Sequence, residues 1–405
     1  MALKVTTAGE SHGPRLTCVV EGLPAGLRLD REAIDRDMAR RQLGHGRGGR
    51  MKIEKDHAVV TAGVRHGVTL GGPIALEVPN RDYKNWEERM NPWPVNGAVE
   101  EVHLPRPGHA DLVGTWKYRT TDVRNILERA SARETAARVA GGALAKAFLR
   151  TLGVEVVSHV VQIGPVAAPV AEPLALEAFA SVDDDPVRCL DPTASMAMVE
   201  HINVQRKANE SIGGVFEVRA YGVVPGVGSH VSWEERLDGR LAMALASIQS
   251  CKGVGLGEGF DLAAKPGSQA HDEIFFSEER GFFRETNHSG GLEGGMTTGE
   301  PLVCRAALKP LPTLTQPLRS VDIETHEPAQ ALRERTDSCV VPAGAVVGEA
   351  MVAIVIADAY RQKFGGDHVD DVREALARYA ERIGWRGAIA AGPDAAAPSG
   401  TPATP

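Results

Sequence analysis

The sequence predicts a single body of the α+β class with helices buried at its centre. Strand-like and helix-like runs occur along the chain, and no linker separates independent domains. Residues 343–364 are apolar almost all round, which is typical of a helix buried on most sides. A strand–turn–helix pattern over residues 15–42 recurs over residues 215–249, which indicates either an internal duplication or a chance likeness. We therefore expect one α+β body, with two related halves around buried helices if the repeat is real.

The same observations set the expected domain limits. One domain covers residues 1–384, and its two halves would divide near residue 205. From Gly384 onward, alanine, proline, glycine and threonine dominate. Residues 385–405 are therefore predicted to form a disordered tail, because such a composition offers little apolar surface to bury.

In the first half, residues 15–29 form a β-rich run that a Leu-Pro-Ala-Gly turn closes. Asp30 is the predicted N-cap of a helix that ends at Gln42. The Ala-rich residues 122–152 predict one long helix, which Gly153 would stop. Residues 154–163 then resemble a strand.

In the second half, residues 215–223 are strand-like, and a Val-Pro-Gly turn leads into a predicted helix over residues 234–249. The apolar helix over residues 343–364 ends at Gly365-Gly366. Residues 369–383 have the spacing of a last amphipathic helix.

Composition limits the class of protein. A hydrophobic content of 43% with 24% charged residues is ordinary for a globular protein, and the net charge of −8 argues against a nucleic-acid binder. Five scattered cysteines without a CxxC pair fit reduced thiols in a cytosolic protein. The N-terminus lacks the apolar segment of a secretory signal, and the most apolar stretch is short for a membrane span. We therefore expect a soluble, cytoplasmic protein.

Two short loops each present a histidine. Gly9-Glu10-Ser11-His12-Gly13 lies just before a predicted strand, and Arg106-Pro107-Gly108-His109-Ala110-Asp111 places a histidine in a rigid turn beside an arginine. A loop histidine can exchange protons near neutral pH, but a solvated turn explains either motif alone. No HExxH motif or ordered Cys/His set accompanies them, so no metal site is predicted.

Arginine and glycine alternate over residues 40–50, with Arg41, Arg47 and Arg50 among four arginines. The planar guanidinium group suits phosphate and carboxylate, and glycines leave room for a ligand. An anion site is favoured over a solvated basic loop. A Walker A motif is excluded because GK[ST] is missing.

Three further segments are candidates for ligand contact. Arg129 to Thr135 reads Arg-Ala-Ser-Ala-Arg-Glu-Thr, which as an isolated motif is typical of an exposed helix face. The glycine-rich residues 287–299 favour a backbone that takes unusual angles or holds a ligand. Near the C-terminus, Asp337 close to Arg335 is either a salt-bridged structural acid or an ionised base.

Taken together, these motifs resemble the chorismate synthase family in order and spacing over about residues 5–365. The resemblance is carried by the GESHG loop, the RPGHAD turn, the RASARET segment, the GGLEGG loop and the RTD segment. The chain departs from the family pattern at His45 and at the Gln249-Ser250 pair. It is similar to the shorter bacterial type rather than the bifunctional fungal type.

The resemblance implies a β–α–β sandwich with an internal pseudo-two-fold repeat and a usual homotetramer. It also implies a lyase of the shikimate pathway to aromatic amino acids, which eliminates phosphate from 5-enolpyruvylshikimate 3-phosphate in an anti-1,4 sense to give chorismate. Such enzymes require reduced FMN, although the reaction has no net redox change. NADPH is a candidate electron source, and an external flavin reductase is the expected supplier of reduced flavin.

The resemblance also assigns roles to residues. His12 would protonate the departing phosphate, His109 would manage the proton balance of the reduced flavin, and Asp337 would relay a proton from the flavin. The implied flavin contacts are Arg129, Ala130, Ser131, Gln249, Ser250, Gly294, Lys309, Pro310, Leu311, Pro312, Thr313 and Arg335. The implied substrate contacts are Ser11, Arg41, Arg47, Arg50, Arg106, Arg133 and Arg335, and Arg41 and Arg47 also match positions associated with NADPH.

Two rival interpretations are weaker. A phosphotransferase would need a pair of Mg²⁺-binding carboxylates beside a phosphate loop, and the Asp183–Asp185 run reads as a solvated loop instead. A non-catalytic anion- or RNA-binding protein should show a dispersed basic surface and stacking aromatics, but aromatic residues make up only 5%.

Overall fold

The architecture is that of a computed structural model, which describes residues 2–48, 55–334 and 336–387. Helices and strands alternate along the chain, which confirms the mixed α+β class. The helices are α1 (Arg31–Gln42), α2 (Asp111–Tyr118), α3 (Arg124–Ala130), α4 (Thr135–Arg150), α5 (Pro192–Lys207), α6 (Leu237–Ala246), α7 (Gly267–Ala270), α8 (Val341–Phe364) and α9 (Val369–Ile383).

The strands form two larger sheets and several two-stranded ribbons. They are β1 (Lys4–Ala8), β2 (Arg15–Glu21), β3 (Val59–Ala62), β4 (Val64–Arg65), β5 (Val68–Thr69), β6 (Ile74–Pro79), β7 (Glu155–Ile163), β8 (Val166–Ala167), β9 (Gly214–Tyr221), β10 (Cys251–Leu256), β11 (Phe275–Ser277), β12 (Gly281–Phe283), β13 (Leu292–Glu293), β14 (Met296–Thr297), β15 (Leu302–Leu308), β16 (Arg319–Val321) and β17 (Pro328–Gln330).

The first sheet has the order β1-β2-β6-β3 and the second has the order β10-β15-β9-β7-β8, with antiparallel pairing in both. Helix α4 packs on the first sheet, α8 packs on the second, and the two helices pack against each other. Alternation along β2 explains this contact, since Leu16, Cys18 and Val20 all point inward and are buried. One hydrophobic core joins both sheets through the two helices.

Helix α8 is apolar and long enough to cross a membrane, but 83% of its most apolar 18-residue window is buried inside the protein. This is the environment of a core helix, as the sequence predicts. Because both α4 and the second sheet contact the helix, its apolar residues are not confined to one face.

The N-cap at Asp30 and the bounds Val369–Ile383 of the last helix agree with the sequence-based expectations. Trp385, which falls within the predicted tail, packs against the core. Residues 388–405 lie outside the described residues.

The prediction of one continuous helix over residues 122–152 is wrong. Ser131 has extended backbone angles (φ −65°, ψ 142°) between α3 and a short 3-10 helix, Ala132–Glu134, that leads into α4. Its hydroxyl accepts a hydrogen bond from the Arg133 N–H at 3.3 Å. A serine hydroxyl can compete with helical hydrogen bonds in this way, and the alanine content hides that local preference. The break turns Arg133 and Glu134 into the interior, where both side chains are buried.

Candidate active site

A cleft of about 740 Å³ lies beside the break between α3 and α4, a size within the usual range of ligand pockets. It is bordered by loops from distant parts of the chain and by the first two turns of α8. Most of the residues singled out in the sequence line it, namely Ser11, His12, Arg41, Arg47, Arg106, His109, Ala130, Ser131, Arg133, Gln249, Ser250, Lys309, Leu311, Pro312, Thr313 and Asp337.

His12 is held at one wall of the cleft by the end of α3. The backbone carbonyl of Glu128 accepts from the Ser11 N–H at 3.0 Å, and its carboxylate lies 3.0 Å from Nδ1 of His12. Trp86 stacks on the imidazole ring with centroids 3.9 Å apart. Burial would raise the pKa of Glu128, but hydrogen bonds from His12 and the charge of Arg124 lower that pKa below its usual value. Glu128 is therefore an anion beside the histidine.

His109 has a carboxylate partner of its own. Its Nδ1 lies 2.5 Å from Oδ1 of Asp111, and the guanidinium of Arg106 contacts the same carboxylate at 2.9 Å. Against the effect of burial, these hydrogen bonds lower the pKa of Asp111 to about 2. Asp111 begins α2, where the helix N-terminus also favours negative charge.

Three arginines form the basic part of the cleft, of which Arg41 and Arg133 are buried and Arg47 is partly exposed. Arg41 and Arg133 share the carboxylate of Asp56, with the Arg133 contact at 2.6 Å, while Arg47 pairs with Asp337 at 2.9 Å. Desolvation, opposed by Asp56 but reinforced by the other two arginines, lowers the pKa of Arg41 to about 10. Arg41 thus remains a cation at neutral pH. Guanidinium groups that converge in this way favour an anionic ligand.

On the opposite side, Gln249 and Ser250 precede β10, and Lys309 follows β15. Ser250 has a left-handed backbone (φ 69°), and its carbonyl accepts from the Lys309 N–H at 2.9 Å, which ties the two segments together. Lys309 Nζ donates to the carbonyl of Gly108 at 2.5 Å, and Arg106 donates to Thr313 Oγ1 at 3.0 Å. These bonds connect this wall to the His109 turn.

Some sequence-predicted residues are not brought to the cleft. The Arg129 side chain turns away and donates to the carbonyls of Thr7 and Gly9, and Gly294 lies in the β13–β14 ribbon outside the cleft lining. Pro310 is also absent from the described lining. Arg50 and Arg335 lie outside the described residues.

The structure adds residues that the sequence-based reasoning missed as site residues: Asp56, Trp86, Asp111, Glu128 and Glu134. Asp111 lies inside the RPGHAD motif and Glu134 inside the RASARET motif. The motifs therefore could have indicated these two acids, but only their arginines, histidine, alanine and serine were taken as candidates. Asp56 and Trp86 lie in segments without a motif, and nothing in their surroundings marks them.

Comparison with known proteins gives a consistent family. The family model described as chorismate synthase matches residues 3–360. Relatives named chorismate synthase include one from Moorella thermoacetica, 55% identical over 381 residues that cover 94% of this chain and 99% of the relative. Another, from Symbiobacterium thermophilum, is 53% identical over 391 residues, covering 95% and 100%. A solved crystal structure of chorismate synthase is 41% identical, covers 95% of this chain and 98% of its own, and has a TM-score of 0.76. The chain belongs to the chorismate synthase family.

Proposed function

We propose that the protein converts 5-enolpyruvylshikimate 3-phosphate to chorismate by anti-1,4-elimination of phosphate, with reduced FMN as its cofactor. Membership of the family supports the reaction. The observation that carries the proposal is the meeting, in one cleft, of an arginine cluster with two histidines that each have a carboxylate partner.

The arginine cluster fits a substrate that carries one phosphate and two carboxylates. Nε of Arg41 is buried and has no hydrogen-bond partner among the described residues, although the same side chain contacts Asp56. A buried donor without a partner is costly, so a ligand oxygen is expected to bind there. We assign Arg41, Arg47, Arg106 and Arg133, with Ser11, to substrate binding.

The opposite wall fits a flavin. The ionised carboxylate of Glu134 accepts from the Gln249 amide nitrogen at 3.0 Å, which leaves Oε1 of Gln249 buried and without a partner among the described residues. A ligand N–H group, such as those of the flavin ring, would satisfy this oxygen. We propose that the flavin is held by Ala130, Ser131, Gln249, Ser250, Lys309, Leu311, Pro312 and Thr313.

When bound, reduced flavin supplies transient electron donation to the substrate as the C3–O bond breaks. The chain's own residues manage charge and protons. His12 donates a proton to the departing phosphate, and the arginines stabilise the negative charge that develops on it. His109 holds the protonation balance at the flavin side, and Asp337 would relay the proton that the substrate loses from C6 and that reaches the flavin.

The source of electrons is assigned outside the chain. Arg41 and Arg47 match positions associated with NADPH, but the chain resembles the shorter bacterial type rather than the bifunctional fungal type. We therefore propose that an external reductase supplies reduced flavin in the cytoplasm. The family resemblance also supports a homotetramer.

The internal repeat also belongs to this proposal. Thr69 bonds to Leu27, Pro24 and Gly26 through both its side chain and its backbone, with its hydroxyl 2.6 Å from the Pro24 carbonyl. Thr297 makes the same set of bonds to Val227, Val224 and Gly226, each of which lies 200 residues after the corresponding partner of Thr69. Its hydroxyl also lies 2.6 Å from a carbonyl, that of Val224. The two bond sets support a β–α–β sandwich in which the halves are related by a pseudo-two-fold repeat.

The test of the function is turnover under anaerobic conditions. With FMN reduced by dithionite, the protein should form chorismate and inorganic phosphate in equal amounts. With oxidised FMN and no reductant, neither product should appear, and a heat-denatured sample with reduced FMN serves as the control. Equal chorismate formation in the presence of oxidised FMN alone would contradict the cofactor assignment, and no chorismate under either condition would contradict the reaction.

A further inference from the structure

Glu128 contacts both the backbone and the imidazole ring of His12. One carboxylate oxygen accepts from the backbone N–H of His12 at 2.9 Å, and both oxygens lie 3.0 Å from its Nδ1. The side chain of Glu128 is 2% exposed, and Arg124 one helical turn earlier contacts it at 2.8 Å. The carboxylate is therefore held in place while it holds the histidine.

The charge of Glu128 decides where the imidazole protons are. An ionised carboxylate only accepts hydrogen bonds, so Nδ1 of His12 must carry a hydrogen that it donates to Glu128. Any proton that the ring exchanges with substrate is then carried by Nε2. The second ring nitrogen commonly has its state set in this way by the partner of the first.

The ring plane is fixed by a second contact. Trp86 stacks on His12 with an angle of 24° between the planes. The guanidinium of Arg124 lies 5.0 Å from the centroid of the Trp86 ring. Arg124 therefore contacts both the carboxylate and the stacking ring. His12 can neither rotate freely nor change its tautomer without disturbing these groups.

We propose that Glu128 is a positioning residue that fixes the orientation of His12 and keeps a hydrogen on its Nδ1, so that the imidazolium donates its Nε2 proton to the departing phosphate and is left as the Nδ1–H tautomer. The inference rests on the proposed role of His12 in the reaction. The Asp111–His109 contact at 2.5 Å shows the same carboxylate–imidazole arrangement at the second histidine of the cleft. Asp111 lies within the motif of its histidine, whereas Glu128 lies far along the chain from His12.

The informative variant is Glu128→Gln, which keeps the size of the side chain and an oxygen for the His12 backbone N–H. Its amide nitrogen would donate to Nδ1, which favours the neutral ring with its hydrogen on Nε2 and disfavours the imidazolium that has to donate the proton. The expected result is a kcat about 100-fold lower, the low end of a general acid–base contribution, with KM for substrate changed by less than about twofold. In protein labelled with ¹⁵N-histidine, the His12 ring nitrogens should exchange their protonated and unprotonated shifts.

A double-mutant cycle separates this role from a structural one. If Glu128 acts through His12, adding Glu128→Gln to His12→Ala should change kcat by less than about twofold. Glu128→Asp keeps an ionised acceptor and should retain more activity than Glu128→Gln. Glu258→Gln is the matched control, because Glu258 pairs with His288 at 2.7 Å outside the cleft lining, and it should leave kcat unchanged.

Three results would overturn the inference: full activity of Glu128→Gln, an equal loss when the change is made in the His12→Ala background, or more activity in the Gln than in the Asp variant. The failure of the proposed function is distinguishable from these. If His12→Ala keeps full activity, the role of His12 and the inference fall together. If His12→Ala is impaired while Glu128→Gln is not, only the positioning role falls.

Discussion

At the scale of single residues, the cleft depends on carboxylates that the substrate need not touch. Asp56 joins Arg41 to Arg133, Glu128 holds His12, and Asp111 holds His109. Each carboxylate is buried and has a pKa below its usual value, because the contacts with its cation or histidine outweigh desolvation. Each therefore keeps its charge at neutral pH and orders a group that faces the ligand.

Asp56→Asn should reveal how much the shared carboxylate stabilises the fold. The change leaves two buried guanidinium groups with no anion between them, so the free energy of unfolding should fall by about 3 kcal/mol. Inorganic phosphate should recover part of this loss, since an anion that binds the folded state alone raises its stability. Urea unfolding with and without phosphate measures both effects.

The control for this change is Glu374→Gln, which removes a charge from an exposed i,i+4 pair with Arg378. It should alter the free energy of unfolding by less than about 0.5 kcal/mol. Should Asp56→Asn be as mild as this control, the carboxylate would not be needed to balance the arginines.

At the scale of elements, the agreement between sequence and structure follows the strength of the local signal. The last helix has a capping box at His368 and an apolar stripe, so Val369–Ile383 follows from its own residues. The break at Ser131 does not, because alanine-rich flanks favour a helix and the local bond of the serine hydroxyl is joined by a tertiary one. Ser131 donates to Ser11 Oγ at 3.2 Å, a partner 120 residues away.

The site residues likewise divide into those with a local sequence signal and those that only tertiary contacts reveal. Motifs located most of the cleft's arginines and both histidines, but the partner of His12 lies 116 residues away and that of Arg133 lies 77 residues away. Such pairs form only when the strands and helices bring them together. Local composition around Asp56 or Glu128 therefore contains no signal of the contact.

Helices α4 and α8 approach each other closely where they cross. A Cβ added to Gly142 would lie 2.6 Å from Cα of Ala350 in α8, which is too close for any real contact. Gly142→Ala should therefore lower the free energy of unfolding by about 1–3 kcal/mol, although alanine favours helix formation by about 1 kcal/mol. Thermal and urea unfolding check the sign.

Gly239→Ala is the matched control, because Gly239 also lies in a helix and its added Cβ would lie 3.8 Å from the carbonyl oxygen of Trp233, an ordinary van der Waals contact. It should stabilise the protein by up to about 1 kcal/mol. A stabilising Gly142→Ala would mean that the two central helices can move apart at little cost.

At the scale of the whole molecule, a net charge of −8 contrasts with a cleft lined by arginines. The single core through both sheets fixes α3, α4 and α8 relative to one another, so the basic groups converge on one cleft. A multiply charged anion approaching this protein is repelled by most of the surface and attracted at the cleft. Binding should therefore depend on the local field, which salt screens.

The last prediction follows from this contrast. Raising KCl from about 50 to about 500 mM shortens the Debye length to a few ångströms, so kcat/KM should fall by about tenfold while kcat at saturating substrate changes little. Arg89, at the rim with a half-exposed side chain, should contribute to this attraction, so Arg89→Gln should flatten the salt dependence. Arg378→Gln removes a more exposed charge outside the cleft lining and should leave the dependence unchanged. If both variants change the salt dependence equally, that dependence reflects the overall charge of the protein rather than the arginines of the cleft.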